Sequence, residues 1–209
     1  MKGSKKTVRK GFTLIELLVV IAIIAILSVV VILTLNPAEL LRQSRDSNRI
    51  SDLSVMKSAV SFYMASVSSP ILASSSPAYN EIYYSQLWVP TLPIASSGIA
   101  SVAGANGTGS ILRTVDSYGW IPINFNAITA GGSPIGNLPI DPVNATTSFD
   151  SYLNPLVYAY VATSSPNLSF KMTAHMESSK YGKNGSGDVV STDGGVAPTV
   201  YEAGTNIAL

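Results

Sequence analysis

Oxygen-bearing side chains alternate with glycines near the end of the sequence, over residues 183–195. Asp188 closes the run Lys-Asn-Gly-Ser-Gly-Asp, and Asp193 stands directly before two glycines. Calcium prefers carboxylate and carbonyl oxygens on loops, so the composition favours a calcium site with Asp188 and Asp193 as ligands. The spacing matches no EF-hand, however, and an ordinary glycine-rich turn region explains the same residues. The sequence predicts no cofactor other than this calcium.

His175 is the one histidine of the chain, which contains no cysteine. Apolar and polar side chains alternate over residues 169–177, which predicts a strand with His175 on its exposed polar face. A serine–histidine–acid triad would need this histidine in a cleft. The sequence also has no phosphate-binding loop and no paired-carboxylate motif. We therefore expect no catalytic residues and no enzyme.

Glu16 is the one charged residue in a run of 24 mostly apolar residues, 12–35. As a helix, this run would span about 36 Å at roughly 1.5 Å per residue, enough to cross a membrane. A cleavable secretory signal would be shorter, and a plain single-pass anchor would not explain a carboxylate that is costly in lipid. Glu16 therefore needs a partner, unless it simply lies at the membrane interface.

Basic residues cluster ahead of the apolar run. They are Lys2, Lys5, Lys6, Arg9 and Lys10. The rest of the chain then holds 8 basic against 12 acidic residues, a mildly acidic body without the basic excess that indicates nucleic-acid binding. The positive-inside rule predicts a single-pass segment with its N-terminus in the cytoplasm. A cut between Gly11 and Phe12 would place a new amino group four residues before Glu16, and the two charges could pair within one chain or between staggered neighbours.

The string K-G-F-T-L-I-E-L-L-V-V-I-A-I-I-A-I-L, residues 10–27, closely resembles the class III leader of bacterial type IV prepilins and type II secretion pseudopilins. The resemblance implies that a membrane prepilin peptidase cuts after Gly11 and methylates Phe12. It also implies that Glu16 sets the register of subunits in a homo-oligomeric helical filament. The partners would be an inner-membrane assembly platform and its cytoplasmic ATPase, with the subunit held in the cytoplasmic membrane before assembly and displayed in an extracellular filament afterwards.

The domain boundaries that follow are a leader over 1–11, a transmembrane and assembly helix over 12–35, an amphipathic helix over 36–67 and a globular head over 68–209. Pro37 should interrupt the long helix because it lacks a backbone donor. Beyond it, apolar residues recur at spacings of three and four, which predicts a stripe that packs on the head. We expect the charged residues between them to form a face that is solvated in the monomer and partly contacts neighbours in a filament, with helical pairs Arg42–Asp46 and Arg49–Asp52.

The head combines Ser- and Gly-rich loops with short strands. We predict strands near residues 82–89, 111–115, 120–125, 156–163 and 169–177, and another at 188–191 or 199–202. The segments 156–163 and 169–177 should form a hairpin whose apolar face covers the helix stripe. The fold class is therefore α+β, with one long helix packed on a small antiparallel sheet. Asp141, in the segment Leu-Pro-Ile-Asp-Pro-Val-Asn, should cap a turn.

The leading hypothesis is a structural subunit of a type IV pilus-like filament. A pseudopilin of a type II secretion or DNA-uptake system is the alternative. The missing cysteines and the Gly/Asp-rich C-terminal region favour it, whereas long Ser-rich loops favour a displayed fibre. A membrane-anchored extracytoplasmic enzyme or binding protein is the remote third hypothesis. The sequence leaves nucleic-acid binding open.

Overall fold

The computed structural model describes residues 11–73, 81–87, 99, 106–149, 155–163 and 167–209. The chain divides into two compact units, residues 1–40 and 41–209. Its helices are α1 (Leu14–Leu35), α2 (Pro37–Ser66) and a short 3-10 helix (Phe125–Ala127). Its strands are β1 (Glu81–Tyr84), β2 (Asn106–Gly109), β3 (Ala145–Phe149), β4 (Pro155–Leu156), β5 (Ala159–Ala162), β6 (Phe170–Ala174) and β7 (Tyr201–Gly204).

Helix α1 is apolar on every side. Residues Leu14–Ile32 have a mean hydropathy of 3.3, and none of this segment is buried within the molecule. It is long and apolar enough to cross a membrane. The predicted interruption is present, because Asn36 adopts a left-handed conformation with φ 38° and Pro37 is the first residue of α2. Proline suits that position, where its missing N–H would have no helical acceptor.

Helix α2 buries one face in the main core of the head. Its contribution includes Leu53, Met56, Val60 and Tyr63, each no more than 3% exposed. These side chains belong to one cluster with aromatic and apolar residues of the sheet and its loops, among them Trp120, Tyr158, Tyr160, Phe170 and Met172. A helix packed on a small sheet confirms the predicted α+β fold class.

The main sheet has five strands in the order β2-β1-β5-β6-β7. The predicted hairpin is present, since β5 pairs antiparallel with β6 from Ala159↔Thr173 to Ala162↔Phe170. Strand β7 adds to β6, which confirms the later of the two alternatives for the last strand. The sheet is mixed rather than purely antiparallel, because β1 and β2 run parallel. Strands β3 and β4 form a separate antiparallel pair.

Two predicted strands are wrong. Residues 120–124 are irregular, with one isolated bridge between Asn124 and Asp116, and they lead into the 3-10 helix. Burial does alternate from Ile121 to Phe125, but Pro122 lacks the N–H group that a strand would use to pair with a neighbour. Residues 111–115 are irregular, and the edge strand β2 lies earlier, at Asn106–Gly109. Of the predicted strand 82–89, β1 accounts for the first residues, and positions 88–89 lie outside the described residues.

The prediction of an exposed polar face on β6 is also wrong. Lys171, Thr173 and His175 are at most 3% exposed. The reason is a second apolar cluster, formed by Ile82, Tyr84, Ile99, Val157, Ala159 and Val161 with Leu209 packed against it. The sheet is therefore covered on both faces, and its polar side chains must find partners inside the head.

Candidate functional site

The start of α1 is a capping box between Thr13 and Glu16. The Thr13 backbone N–H donates to Glu16 Oε2 at 2.7 Å, and the Thr13 hydroxyl donates to the same oxygen at 2.8 Å. In return, the Glu16 N–H donates to Thr13 Oγ1 at 3.2 Å. The box satisfies backbone donors that a helix start otherwise leaves unpaired, and it fixes the carboxylate beside the first turn.

Gly11 and Phe12 precede this box without packing on it. A Cβ added at Gly11 would meet nothing within 4 Å. The Phe12 side chain is 90% exposed. The fold of this unit therefore gives no steric reason for glycine at position 11, and the apolar ring at position 12 has no partner among the described residues.

The remaining polar side chains of α1 turn back onto their own helix. The Ser28 hydroxyl donates to the Ile24 carbonyl at 2.7 Å, and the Thr34 hydroxyl donates to the Val30 carbonyl at 3.0 Å. Such bonds let a hydroxyl enter an apolar environment without losing its partner. Glu16 is then the one side chain of α1 that carries a charge into that environment.

The comparison with protein families agrees with this geometry. Residues 6–32 match the family model for the prokaryotic N-terminal methylation motif. The segment is the class III prepilin leader of type IV pilins and pseudopilins. No curated protein and no solved structure matches the chain. The match is confined to residues 6–32, and the matched family is a structural, pilin-type motif rather than an enzyme family.

Under α2, the head contains a largely buried charge cluster, in which only the Arg45 side chain is substantially exposed, at 32%. It consists of Arg45, Asp46, Arg49, Asp141 and Glu177. Arg49 is its centre, with a side chain that is 0% exposed. The Arg49 guanidinium donates to Asp141 at 2.6 and 2.9 Å and to Asp46 at 2.7 Å, and it pairs with Glu177 at 2.7 Å.

The Asp46 and Asp141 carboxylates of the charge cluster also accept hydrogen bonds from backbone N–H groups. Asp46 accepts hydrogen bonds from the N–H groups of Glu177 and Ser178, at 3.0 and 2.8 Å. Asp141 accepts from the N–H groups of Val143 and Asn144, which confirms the predicted turn cap. The cluster therefore joins α2 to two segments that are distant in sequence.

Burial and ion pairing oppose each other at Arg49 and Glu177. Burial alone would lower the pKa of Arg49, but the carboxylates of Asp141 and Glu177 outweigh it and raise that pKa. Burial alone would raise the pKa of Glu177, but hydrogen bonds from Arg45 and Arg49 hold it below the usual value. Both directions keep these groups charged at neutral pH.

The expectation of a solvated charged face on α2 is thus wrong for Asp46 and Arg49, which are 0% exposed. The pairing expected between Arg49 and Asp52 is replaced by contacts with Asp46, Asp141 and Glu177. Asp52 instead accepts a hydrogen bond from the Tyr158 hydroxyl at 2.7 Å. Sequence reasoning missed the cluster because Asp141 and Glu177 lie 92 and 128 positions beyond Arg49 in the sequence. An arginine three residues after an aspartate, amid buried apolar positions, was the available signal.

The calcium candidates Asp188 and Asp193 organise their own loops. Asp188 accepts from the backbone of Asn184, Val190 and Ser191, at 2.8 to 3.0 Å. The Ser191 hydroxyl, which donates to it at 2.5 Å, and these N–H groups lower the pKa of Asp188 to about 2. Asp193 accepts from the N–H groups of Gly195 and Glu202, at 2.9 and 2.7 Å. The described residues contain no group of three or more His, Cys, Asp or Glu placed for a metal. Calcium binding stays a prediction.

One cavity of about 490 Å³ lies at the C-terminal end of α2. Its lining is Tyr63, Val67, Ser69, Ile71, Ala73, Ser117, Pro122, Asn124 and Ala127. Among the described residues, this lining contains no carboxylate, histidine or lysine side chain.

Proposed function

We propose that this protein is a structural subunit of a type IV pilus-like filament, assembled through α1. The observation that carries the proposal is the methylation motif over residues 6–32, which includes most of α1, a helix whose apolar segment Leu14–Ile32 is not buried within the molecule. Such a surface is stable in lipid or against other copies of itself. Burial against neighbours would contribute about 25 cal/mol per Å² of apolar area.

Processing would expose the assembly segment. Prepilin peptidase would cut between Gly11 and Phe12 and methylate the new Phe12 amino group. No described residue packs against Gly11, which supports a recognition role for this glycine, since the described part of the fold does not require it. Mass spectrometry of the mature N-terminus tests this step, with an expected start at N-methylated Phe12. Protein from cells that still begins at Met1 would overturn the proposal, and Gly11→Leu should leave the precursor unprocessed.

Before assembly the subunit would wait in the cytoplasmic membrane. The basic residues of the leader favour an N-terminus in the cytoplasm, with the head outside. An inner-membrane platform driven by a cytoplasmic ATPase would then add it to the filament. Accessibility of an exposed lysine such as Lys180 to a membrane-impermeant amine reagent, in intact spheroplasts, tests this orientation. Labelling only after lysis would contradict it.

Glu16 would set the register between subunits. Its carboxylate is held by Thr13 at the very start of α1, where the Phe12 amino group of a neighbouring, axially offset copy can reach it. In an apolar bundle this attraction is weakly screened, so a single offset would be favoured over the others.

A pseudopilin of a secretion or DNA-uptake system is the second candidate, favoured by the Asp- and Gly-rich loops over residues 182–195. Electron microscopy of surface filaments, with mass spectrometry to identify this chain in them, separates the two. Long surface filaments made of this chain support the pilus. Their absence, with a secretion or DNA-uptake defect on deletion, supports the alternative.

We also propose that Asp188 and Asp193 can take part in calcium binding, together with backbone carbonyl groups of their loops. Calorimetric titration of the purified protein with calcium tests this, with Asp188→Asn and Asp193→Asn as variants. Saturable binding that both variants weaken supports the site. The absence of binding heat at millimolar calcium contradicts it.

A further inference from the structure

Lys171 and Glu202 form a second buried pair, on the face of the sheet opposite α2. They lie on the adjacent antiparallel strands β6 and β7, where Lys171 is opposite Gly204 and Thr173 is opposite Glu202. The two side chains are therefore diagonal neighbours on one face of the sheet. Both are 0% exposed, and Lys171 Nζ is in contact with Glu202 Oε1.

Backbone groups hold both ends of this contact. The Ala197 N–H donates to Glu202 Oε2 at 3.0 Å, and Lys171 Nζ donates to the Leu209 carbonyl at 2.7 Å. Glu202 Oε1 touches Nζ but accepts no aligned hydrogen bond from any described residue. The ammonium thus lies against the carboxyl group without the geometry of a hydrogen bond.

Gly195 fits the carboxyl group closely. A Cβ at this position would collide with Glu202 Oε2 and the carboxyl carbon. The Asp193 carboxylate accepts the Glu202 backbone N–H at 2.7 Å and so fixes the strand at the same point. The Asp-Gly-Gly sequence at residues 193–195 therefore forms a tight cradle around one carboxyl group.

We propose that Lys171 and Glu202 become joined by an amide bond between Nζ and the carboxyl carbon. Nζ forms the new bond, the bond from carbon to Oε1 breaks, and two ammonium hydrogens leave with Oε1 as one water molecule. No oxidant, reductant or other reactant is needed. The remaining Nζ hydrogen donates to the Leu209 carbonyl, and Oε2 becomes the amide oxygen that Ala197 already holds.

The surroundings favour this condensation in two ways. The Ala197 N–H points at the oxygen on which negative charge develops during attack, as an oxyanion-hole donor does. In addition, two charges taken out of water are costly even when paired, and an amide replaces them with one neutral, hydrogen-bonded group. In a chain without cysteine, the link would close the segment between β6 and β7 as a disulfide does elsewhere.

Peptide mapping of the intact mature protein, denatured before digestion, tests whether the amide bond is present. Trypsin cuts after free lysine and arginine, so an unlinked chain releases residues 114–171, 172–180 and 184–209 as separate peptides. The linked chain instead gives residues 114–180 joined to 184–209, lighter than their sum by one water. Recovery of free peptide 172–180 in full yield overturns the proposal.

Two variants test whether the joined peptide depends on the Lys171 amine. Lys171→Arg retains the positive charge but should abolish the joined peptide, whereas Lys180→Arg, at an exposed lysine, should retain a joined species. Loss of water at Asp193-Gly194 alone, by cyclisation of the backbone, would lighten peptide 184–209 without joining it to another. That outcome would also count against the bond.

Discussion

Glu16 and Asp46 are both carboxylates in the first third of the chain, but their partners come from different places. Glu16 is held by Thr13, three residues earlier, on a helix whose segment Leu14–Ile32 is not buried. Asp46 is 0% exposed and is held by Arg49 and by backbone N–H groups of Glu177 and Ser178. The first arrangement leaves a carboxylate available to another molecule, and the second commits it to the fold. The role of a charged side chain on a helix, in assembly or in stabilising the fold, therefore depends on where its partner lies.

The largest expected effect comes from breaking the charge cluster at its centre. Arg49→Met leaves three buried or half-buried carboxylates without their common cation, and it should lower the stability of the head by about 3–5 kcal/mol. Urea unfolding of the full chain in detergent, followed by tryptophan fluorescence, measures the loss. Lys57→Met, at an exposed position of the same helix, should cost less than about 0.5 kcal/mol. A loss below about 1 kcal/mol for Arg49→Met would mean that the cluster does not anchor α2.

In contrast to Arg49→Met, Glu16→Ala should leave the stability of the head and insertion into the membrane unchanged but should impair filament assembly. Loss of one charge pair of about 1.4 kcal/mol or more per subunit predicts at least a roughly tenfold lower yield of filaments. Sheared surface filaments, quantified against membrane-inserted subunit, give the measurement.

Thr13→Ala separates register from capping. It removes the cap, at about 1 kcal/mol of local helix stability, but keeps the Glu16 carboxylate. This variant should therefore assemble far better than Glu16→Ala. Equal defects in the two would show that the cap, and not the charge, is what assembly requires.

The two regions also differ in how far sequence alone predicts them. Helix α1 follows from its composition, because nearly every residue has the same preference. The β5–β6 hairpin follows from a segment rich in Val and Tyr and a second segment in which apolar and polar residues alternate. The local signal for Arg49 is weak, because Arg49 and the exposed Arg42 each follow an acidic residue by three positions, yet Arg49 is buried and finds partners across the fold. Likewise, the alternation in β6 located the strand, but the second apolar cluster buries its polar side chains. Hydrophobic periodicity and residue propensity predict one helix or strand at a time. Whether a charged side chain is buried depends instead on which residues of other elements pack against it.

Acid should weaken the head through the charge cluster. The folded pKa of Glu177 is lower than its unfolded value, so its contribution is fully present above the unfolded value and is lost as pH falls through the folded one. We expect the urea midpoint to decline as pH drops below about 4.5, the usual value for this group. Glu177→Gln should show a shallower decline over that window. An identical slope in the wild type and the variant would place the acid sensitivity elsewhere.

The smallest expected effect is that of Val55→Ala, and it tests whether an exposed apolar side chain on α2 is covered by another molecule, as we propose for α1. Val55 and Val60 are the same residue on the same helix, 47% and 0% exposed respectively. Val60→Ala should cost about 2 kcal/mol, from roughly 0.8 kcal/mol for each buried methyl group plus the cavity that it leaves. Val55→Ala should change the urea midpoint by less than the equivalent of about 0.5 kcal/mol. If Val55→Ala instead cost as much as Val60→Ala, its side chain would be covered in solution, and this face of α2 would share the role that we assign to α1.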